Sequence, residues 1–224
     1  RRLVVSNALA EGVDGLDDYD PGADAPRGAV AVDTVVAGTA LVPPAYDRLG
    51  WIWTAERAQP ASVIVARSGG RPVTIDVPWL AGREVQRVVP SRDGARVRVV
   101  SRAGNQTVIE VAAVVRSEAG DPLSVGEPLG AGANIGEVAD AIWVDDLTVA
   151  LLGRSTGADA TPLWLVAVGG RTVADAAVPD AVGISARQGD RTIALVSSDG
   201  TLRERSGTGW SGVASGVTEL AYAG

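Results

Sequence analysis

Residues 85–101 read VQRVVPSRDGARVRVVS and contain two apolar runs separated by a short polar turn. Val85–Val89 and Arg96–Val100 are the two runs, and Ser91–Gly94 lies between them. Valine-rich runs of this length favour extended backbone. Asp followed by Gly favours the positive φ angles of tight hairpin turns. The pattern therefore predicts two antiparallel strands joined by a tight turn.

The second strand of this hairpin has counterparts along the whole chain. Each is a short apolar segment that ends in a small or hydroxyl residue, and successive segments start about 44 to 52 residues apart. The five segments are Leu3–Ser6, Trp51–Thr54, Arg98–Ser101, Ala150–Gly153 and Ala194–Ser197.

The residues around these segments complete a repeating unit. Another strand is expected before four of them, at Ala40–Val42, Val85–Val89, Val138–Val144 and Val182–Ser185. Polar or glycine-rich turns separate the strands. Ser68–Arg71 and Val168–Arg171 lie at matching points, Asp145-Asp146 follows the first strand of its unit, and Ser198–Gly200 is expected between the second and third strands of the last unit. Each unit thus has four strands over roughly 45 residues, which is the size of a β-propeller blade.

The ends of the chain suggest how such a ring would close. No strand precedes Leu3, whereas Gly216–Tyr222 resembles the first strand of a blade. Pairing of the two terminal strands would remove exposed sheet edges. We therefore predict an all-β chain that forms a single propeller domain over residues 1–224 with five four-stranded blades. A six-bladed ring is the alternative.

The composition excludes several kinds of active site. The 224 residues contain no His, Cys, Met or Phe, and all 20 basic residues are arginine. Zinc sites built on Cys or His, disulfides, Ser-His-Asp triads and Schiff-base lysines therefore cannot form. We predict no catalytic residues, no cofactor and no metal.

The charge and hydropathy restrict the partners. The net charge is −7 and the arginines are scattered, which disfavours a nucleic-acid partner. No apolar run approaches the roughly 20 residues of a membrane-spanning helix.

Five stretches, in order, resemble the β-propeller domain of the actinobacterial lipoprotein family LpqB. The resemblance covers the chain from about Leu41 onward and is weaker over residues 1–40. The stretches are Pro44–Thr54, Ser91–Val100, Gly126–Leu129, Asp140–Val144 and Ala221–Gly224.

The resemblance implies a binding role at the cell envelope. LpqB-type proteins are anchored by lipid on the outer face of the cytoplasmic membrane and carry a GerMN-type domain before the propeller. They associate with the extracytoplasmic part of the sensor kinase of the MtrA–MtrB two-component system. The anchoring cysteine and the GerMN-type domain are not in this sequence, so we expect a soluble C-terminal fragment of a longer lipoprotein.

The densest acidic stretch has two interpretations. Several carboxylates close together are the ligands that calcium prefers, but the spacing fits no EF-hand. We interpret the stretch as a variable, solvated loop between strands. Its acidic residues are Asp14, Asp17, Asp18, Asp20 and Asp24.

Paired carboxylates are the basis of the main enzymatic alternative, a glycosidase. A non-catalytic binder of cell-wall glycans is a further alternative. The candidate carboxylates are Asp47, Asp93, Asp140 and Asp190, of which Asp93 and Asp190 fall at expected hairpin turns.

The tryptophans are expected to divide between core and surface. Trp53, Trp143 and Trp164 alternate with polar neighbours and are predicted to pack in the core, with Trp51 on the same face as Trp53.

Two other tryptophans are candidates for partner binding. Trp79 and Arg83 lie in an expected connection between blades, and Trp210 lies in the last outer hairpin. Tryptophan and arginine are enriched at interface hot spots, so we predict these three as partner-binding residues. The alternative is that Trp79 packs over the gap between two blades.

Overall fold

A computed structural model describes most of the chain. The described residues are 3–10, 13–19, 31–58, 61–67, 69–130, 135–155, 163–169, 172–174, 180–187, 192–206 and 209–218. Within these ranges the backbone forms nineteen strands and one short 3-10 helix, so the chain is all-β as predicted.

Five sheets are built from consecutive strands. The first has three strands in the order β1-β2-β3, and the other four have four strands each in chain order. The first sheet contains β1 (Leu3–Ala10), β2 (Val13–Tyr19) and β3 (Ala31–Gly38). The second contains β4 (Ala45–Tyr46), β5 (Trp51–Thr54), β6 (Ser62–Arg67) and β7 (Val73–Asp76).

The remaining sheets repeat this plan. The third contains β8 (Glu84–Pro90), β9 (Arg96–Ala103), β10 (Gln106–Arg116) and β11 (Pro122–Gly130). The fourth contains β12 (Ile135–Asp145), β13 (Thr148–Ser155), β14 (Leu163–Ala167) and β15 (Thr172–Ala174). The fifth contains β16 (Ala181–Arg187), β17 (Thr192–Ser197), β18 (Leu202–Ser206) and β19 (Gly209–Ala214).

The chain divides into two compact units. The first comprises residues 1–104 and 111–128, and the second comprises residues 105–110 and 129–224. Among the described residues, no helix is both long enough and apolar enough to cross a membrane.

The recurring segment of the sequence is confirmed as the second strand of every four-stranded sheet. It corresponds to β5, β9, β13 and β17. In β9 the buried residues run without interruption from Val97 to Ser101, and in β17 they run from Ile193 to Ser197. A strand buried on both faces reads as a continuous apolar run rather than an alternating one. The first copy, Leu3–Ser6, lies in β1.

The cores of the units are apolar clusters on the faces of these strands. Trp51 and Trp53 lie in one cluster of the first unit, and Ile52 lies in another. The alternation of side chains along a strand accounts for this division, and the prediction that the two tryptophans share a face is confirmed. In the second unit a cluster contains Ala150 and Leu152 of β13 together with Ile193 and Leu195 of β17.

The other core tryptophans follow the prediction to different degrees. Trp143 is buried at 3% exposure. Trp164 is half-buried, and its indole N–H donates to the Gly153 carbonyl over 3.0 Å. Asp140–Leu152 forms the predicted hairpin, since β12 pairs antiparallel with β13.

One predicted strand is displaced along the chain. Ala40–Val42 was expected as the first strand of the second sheet, but that strand is β4, at Ala45–Tyr46. Leu41 forms an isolated bridge with Glu56. The two prolines that follow have no N–H to donate, so they interrupt the ladder between this bridge and β4.

The interpretation of the acidic stretch as a loop is wrong for three of its five acidic residues. Asp14, Asp17 and Asp18 lie in β2, which pairs with β1 on one edge and with β3 on the other. Pairing on both edges satisfies the backbone groups of β2 and overrides the low strand propensity of Asp and Gly. Asp20 and Asp24 lie outside the described residues.

Closure of the ring falls largely outside the described residues. Gly216–Thr218 lie in no strand, and residues 219–224 are not described. Pairing of the two ends of the chain therefore stays a prediction.

The turn between β4 and β5 requires a left-handed residue. Gly50 has φ +80°, and its N–H donates to the Asp47 carbonyl over 3.1 Å. An added Cβ would meet no heavy atom within 4 Å, so only the backbone conformation opposes a side chain there. We expect Gly50→Ala to lower the free energy of unfolding by about 1 kcal/mol.

Urea denaturation measures this difference, and Gly130→Ala is the matched control. Gly130 also has open space around its Cβ position and has no positive φ. Equal stability of the two variants would contradict the strain assigned to residue 50.

Candidate functional site

The connection between β7 and β8 carries two of the three predicted partner-binding residues. It contains a 3-10 helix, η1 (Pro78–Leu80), with proline at its start. Leu80 is fully buried and anchors the connection in the core of the first unit. The Arg83 N–H donates to the Leu80 carbonyl over 3.1 Å and holds the next turn. Trp79 and Arg83 are therefore presented from a fixed backbone.

Trp79 packs against the protein's own core. Its side chain is half-buried against the main cluster of the first unit. The indole N–H donates to the Gly126 carbonyl of β11 over 3.1 Å. This contact joins the connection to the outer strand of the third sheet, which is the structural role that the alternative interpretation assigned to Trp79.

Arg83 lines an open cleft together with Arg57 and Arg102, two arginines that no sequence motif marked. Arg57 follows β5, and Arg102 lies near the end of β9. Glu84 lies in the same cleft, 3.5 Å from the Arg57 guanidinium. The three arginines come from parts of the chain far apart in sequence, so no local motif could have revealed them.

Trp210 belongs to the second unit. It lies on β19, where Arg205 of β18 is its cross-strand partner. Its side chain is half-buried against the apolar cluster of that unit. Its assignment to partner binding, like those of Trp79 and Arg83, stays a prediction.

Asp47, the first glycosidase candidate, is engaged in a hydrogen-bond network. One carboxylate oxygen accepts the N–H groups of Leu49 (2.9 Å) and Trp51 (3.0 Å). The other accepts the Trp53 indole N–H over 3.1 Å and a guanidinium N–H of Arg116. The Asp47 side chain is fully buried. Its four acceptor contacts hold the β4–β5 turn and leave little capacity for chemistry on a substrate.

Arg116 connects three hairpins of the first unit. Besides its ion pair with Asp47, it donates to the carbonyls of Gly94 and Gly120, each over 2.8 Å. Its guanidinium carbon also lies 5.8 Å from the centre of the Trp53 ring, within cation–π range. No local sequence pattern marks Arg116, because its ion-pair partner is 69 positions away.

Asp93, the second candidate, has the wrong ionisation for a general acid. Burial alone would raise the pKa of its carboxyl. Hydrogen bonds from Ser91 and from the Ala95 N–H, with the charges of Arg96 and Arg48, outweigh burial and lower the pKa below 3.8. A glycosidase acid requires a raised pKa, so the lowered pKa of Asp93 does not suit the role of general acid.

Asp140, the third candidate, also holds the backbone through its carboxylate. The carboxylate of Asp140 accepts the N–H of Ala141 over 2.8 Å and the N–H of Ile184, on the neighbouring strand β16, over 3.2 Å. Asp190 lies outside the described residues. In the part of the chain that the structure describes, no group of three or more acidic residues could hold a metal ion.

The architecture and the comparisons with known proteins agree. Successive four-stranded antiparallel sheets made from consecutive strands are the architecture of β-propeller proteins. The family model described as the lipoprotein LpqB β-propeller domain matches residues 25–221, so the chain belongs to this family. The match begins before Leu41, where the sequence resemblance was expected to begin. Membership of a lipoprotein family implies an extracytoplasmic location in the cell envelope.

Other comparisons add information on the fold alone. No curated protein matches the sequence significantly. A chain in the crystal structure of the nidogen/laminin complex has a TM-score of 0.59 and 12% identity, over 91% of this chain and 73% of that one. A chain of the Kuenenia stuttgartiensis hydrazine synthase has a TM-score of 0.44 and 13% identity, over 85% and 70%. The second likeness carries no argument at that TM-score.

The Asp47–Arg116 pair is expected to stabilise the first unit. The side chains are 0% and 12% exposed, so removing one partner leaves a buried group without compensation. We expect Asp47→Asn to lower the free energy of unfolding by about 3 kcal/mol. A double-mutant cycle with Arg116→Met, measured by urea denaturation, should give a clear coupling energy.

Arg96→Met is the matched control for this cycle. Its ion pair with Asp93 is 3.8 Å long and about a third exposed, so its loss should cost less than about 1 kcal/mol. Additive effects of Asp47→Asn and Arg116→Met would contradict the role assigned to the buried pair.

The lowered pKa of Asp93 predicts a pH dependence of stability. Because the folded state favours the carboxylate, its contribution is complete above the unfolded pKa near 3.8 and is lost as the pH falls through the lower folded pKa. Asp93→Asn should therefore flatten the fall of the free energy of unfolding between about pH 5 and pH 2. Urea denaturation of the wild type and of Asp93→Asn at each pH measures this difference, and the same slope in both proteins would contradict the role assigned to Asp93.

Proposed function

We propose that the chain is a non-enzymatic protein-interaction domain of a cell-envelope lipoprotein. Its proposed partner is the extracytoplasmic domain of a two-component sensor kinase of the MtrA–MtrB type, whose signalling it modulates. The observation that carries the proposal is membership of the LpqB β-propeller domain family over residues 25–221.

The state of the carboxylates supports a binding role over the glycosidase alternative. Asp47, Asp93 and Asp140 each accept backbone hydrogen bonds that hold a turn or join two strands. A retaining or inverting glycosidase needs two carboxyl groups that face the substrate from about 5 to 9 Å apart. Each of these three carboxylates is already an acceptor for backbone groups of the fold.

The proposed ring has five blades in one domain. Five successive sheets in the described residues correspond to the five repeats of the sequence. The first of these sheets has three described strands, and Gly216–Tyr222 is the proposed fourth. Such closure would leave no open edge between the first and last blades.

Isothermal titration calorimetry of the 224-residue chain against the sensor-kinase extracytoplasmic domain tests the proposed function. We expect saturable binding with a micromolar or lower dissociation constant. An absence of binding at high micromolar concentrations would overturn the choice of partner.

Three conservative variants test the predicted contact residues in the same titration. Trp79→Phe, Arg83→Ala and Trp210→Phe keep most of the packing of each site, and Arg92→Ala at an exposed turn is the control. Hot-spot residues lower affinity by about tenfold or more when truncated. Unchanged affinity in all three variants would place the contact surface elsewhere on the protein.

A further inference from the structure

The cleft beside the β7–β8 connection, here called the arginine cleft, has the features of an anion-binding site. It is an open surface depression of about 640 Å³. It is formed at one end of the second and third sheets, where the β5–β6, β7–β8 and β9–β10 connections meet. Its lining residues are Arg57, Ala58, Gly82, Arg83, Glu84, Arg102 and Gly104.

The backbone that carries the three arginines is held by hydrogen bonds. The Arg57 N–H donates to the Ala40 carbonyl over 3.0 Å, and the Arg57 carbonyl accepts the Val85 N–H over 3.2 Å. Arg83 is held by its bond to Leu80. Arg102 lies in β9 directly opposite Glu84 of β8. The backbone positions of the three arginines are therefore fixed, whereas ordering their partly exposed side chains on a ligand still costs conformational entropy.

The charge of the arginine cleft is opposite to that of the whole chain. Three guanidinium groups and one carboxylate line it, whereas the chain carries a net charge of −7. The ion pair between Arg57 and Glu84 is more than two-fifths exposed on both sides, so solvent screens it. The excess of guanidinium groups favours an anion, since arginine binds carboxylates and phosphates through paired N–H donors.

Two glycines of the lining, Gly82 and Gly104, have positive φ angles of +76° and +60°. A Cβ added at Gly82 or Gly104 would meet no heavy atom within 4 Å. The ligand can therefore approach the backbone as well as the arginine side chains.

We infer that the arginine cleft binds an acidic polypeptide segment of the partner protein, an inference that rests on the proposed function. Glu84 disfavours a compact multivalent anion such as phosphate, because its carboxylate lies within the same cleft. Because the proposed partner is a protein, the anion is assigned to acidic side chains of a polypeptide, placed at Arg83 and Arg102. The net charge of −7 disfavours nucleic acid, whose binding needs a broad basic surface.

Fluorescence anisotropy of a labelled octaglutamate peptide at low ionic strength tests this inference. Charge reversal in Arg83→Glu/Arg102→Glu should lower the affinity of the chain for octaglutamate on the order of tenfold or more. Arg71→Glu/Arg92→Glu is the matched control, because it makes the same charge change at two exposed turn residues outside the cleft. The control should stay within about twofold of the wild type.

A single-site variant and a second anion complete the experiment. Arg102→Ala truncates a single exposed side chain and replaces the double variant if that variant fails to fold. It should also weaken octaglutamate binding. Inorganic phosphate is titrated in parallel. Equal weakening by both double variants, or tighter binding of phosphate than of octaglutamate, would overturn the inference.

The sensor-kinase extracytoplasmic domain then separates the cleft from the proposed function. If only Arg83→Glu/Arg102→Glu binds that domain more weakly, the result supports both the role of the cleft and the proposed function. Equal binding by all variants overturns the role of the cleft and leaves the proposed function intact. If the wild type binds octaglutamate through Arg83 and Arg102 but does not bind the kinase domain, the choice of partner fails and the anionic specificity of the cleft stands.

Discussion

Burial of the second strand on both faces is the constraint that organises each four-stranded sheet. In β9, β13 and β17 five consecutive residues are buried, and in β5 all four are. Such a strand exposes apolar groups on both sides of its sheet, so each side must be covered by other parts of the chain. The stacking of sheets follows from this need, because a single sheet has no way to bury both of its own faces.

Polar side chains fix the turns at the ends of these strands. Arg116 and Asp47 show this most clearly in the first unit, where one guanidinium reaches three hairpins and one buried carboxylate holds a turn of its own. A buried charge is costly unless it is paired and hydrogen-bonded. The same acidic residues that could suggest an active site are therefore part of the framework.

The arginine cleft shows how such a framework can carry a binding site. Its walls come from three strand connections, and connections vary more freely than the strands that support them. Function in such a protein depends on what the connections present, since the same fold serves many unrelated activities. An anionic segment of a partner protein suits the charge of this surface.

Local pattern was sufficient to predict the recurring second strands and several of the turns. Val85–Ser101 forms the expected hairpin because β-branched runs and an Asp-Gly turn act over a few residues. Local pattern failed at β2, where pairing on both edges made a strand of an acidic segment. Local pattern also misplaced β4. The interruption at Pro43-Pro44 depends on pairing with β5, which a local pattern does not contain.

The candidate site depended on tertiary structure. Trp79 and Arg83 could be selected from composition, but the contact of Trp79 with Gly126 could not, because it joins residues 47 positions apart. Arg57 and Arg102 join Arg83 only when the second and third sheets pack together. The amino-acid order determined the strands, the repeat and the excluded chemistries, because these depend on residue type and short-range spacing. The fold alone determined the Arg116 network and the arginine cleft, because long-range packing brings their members together.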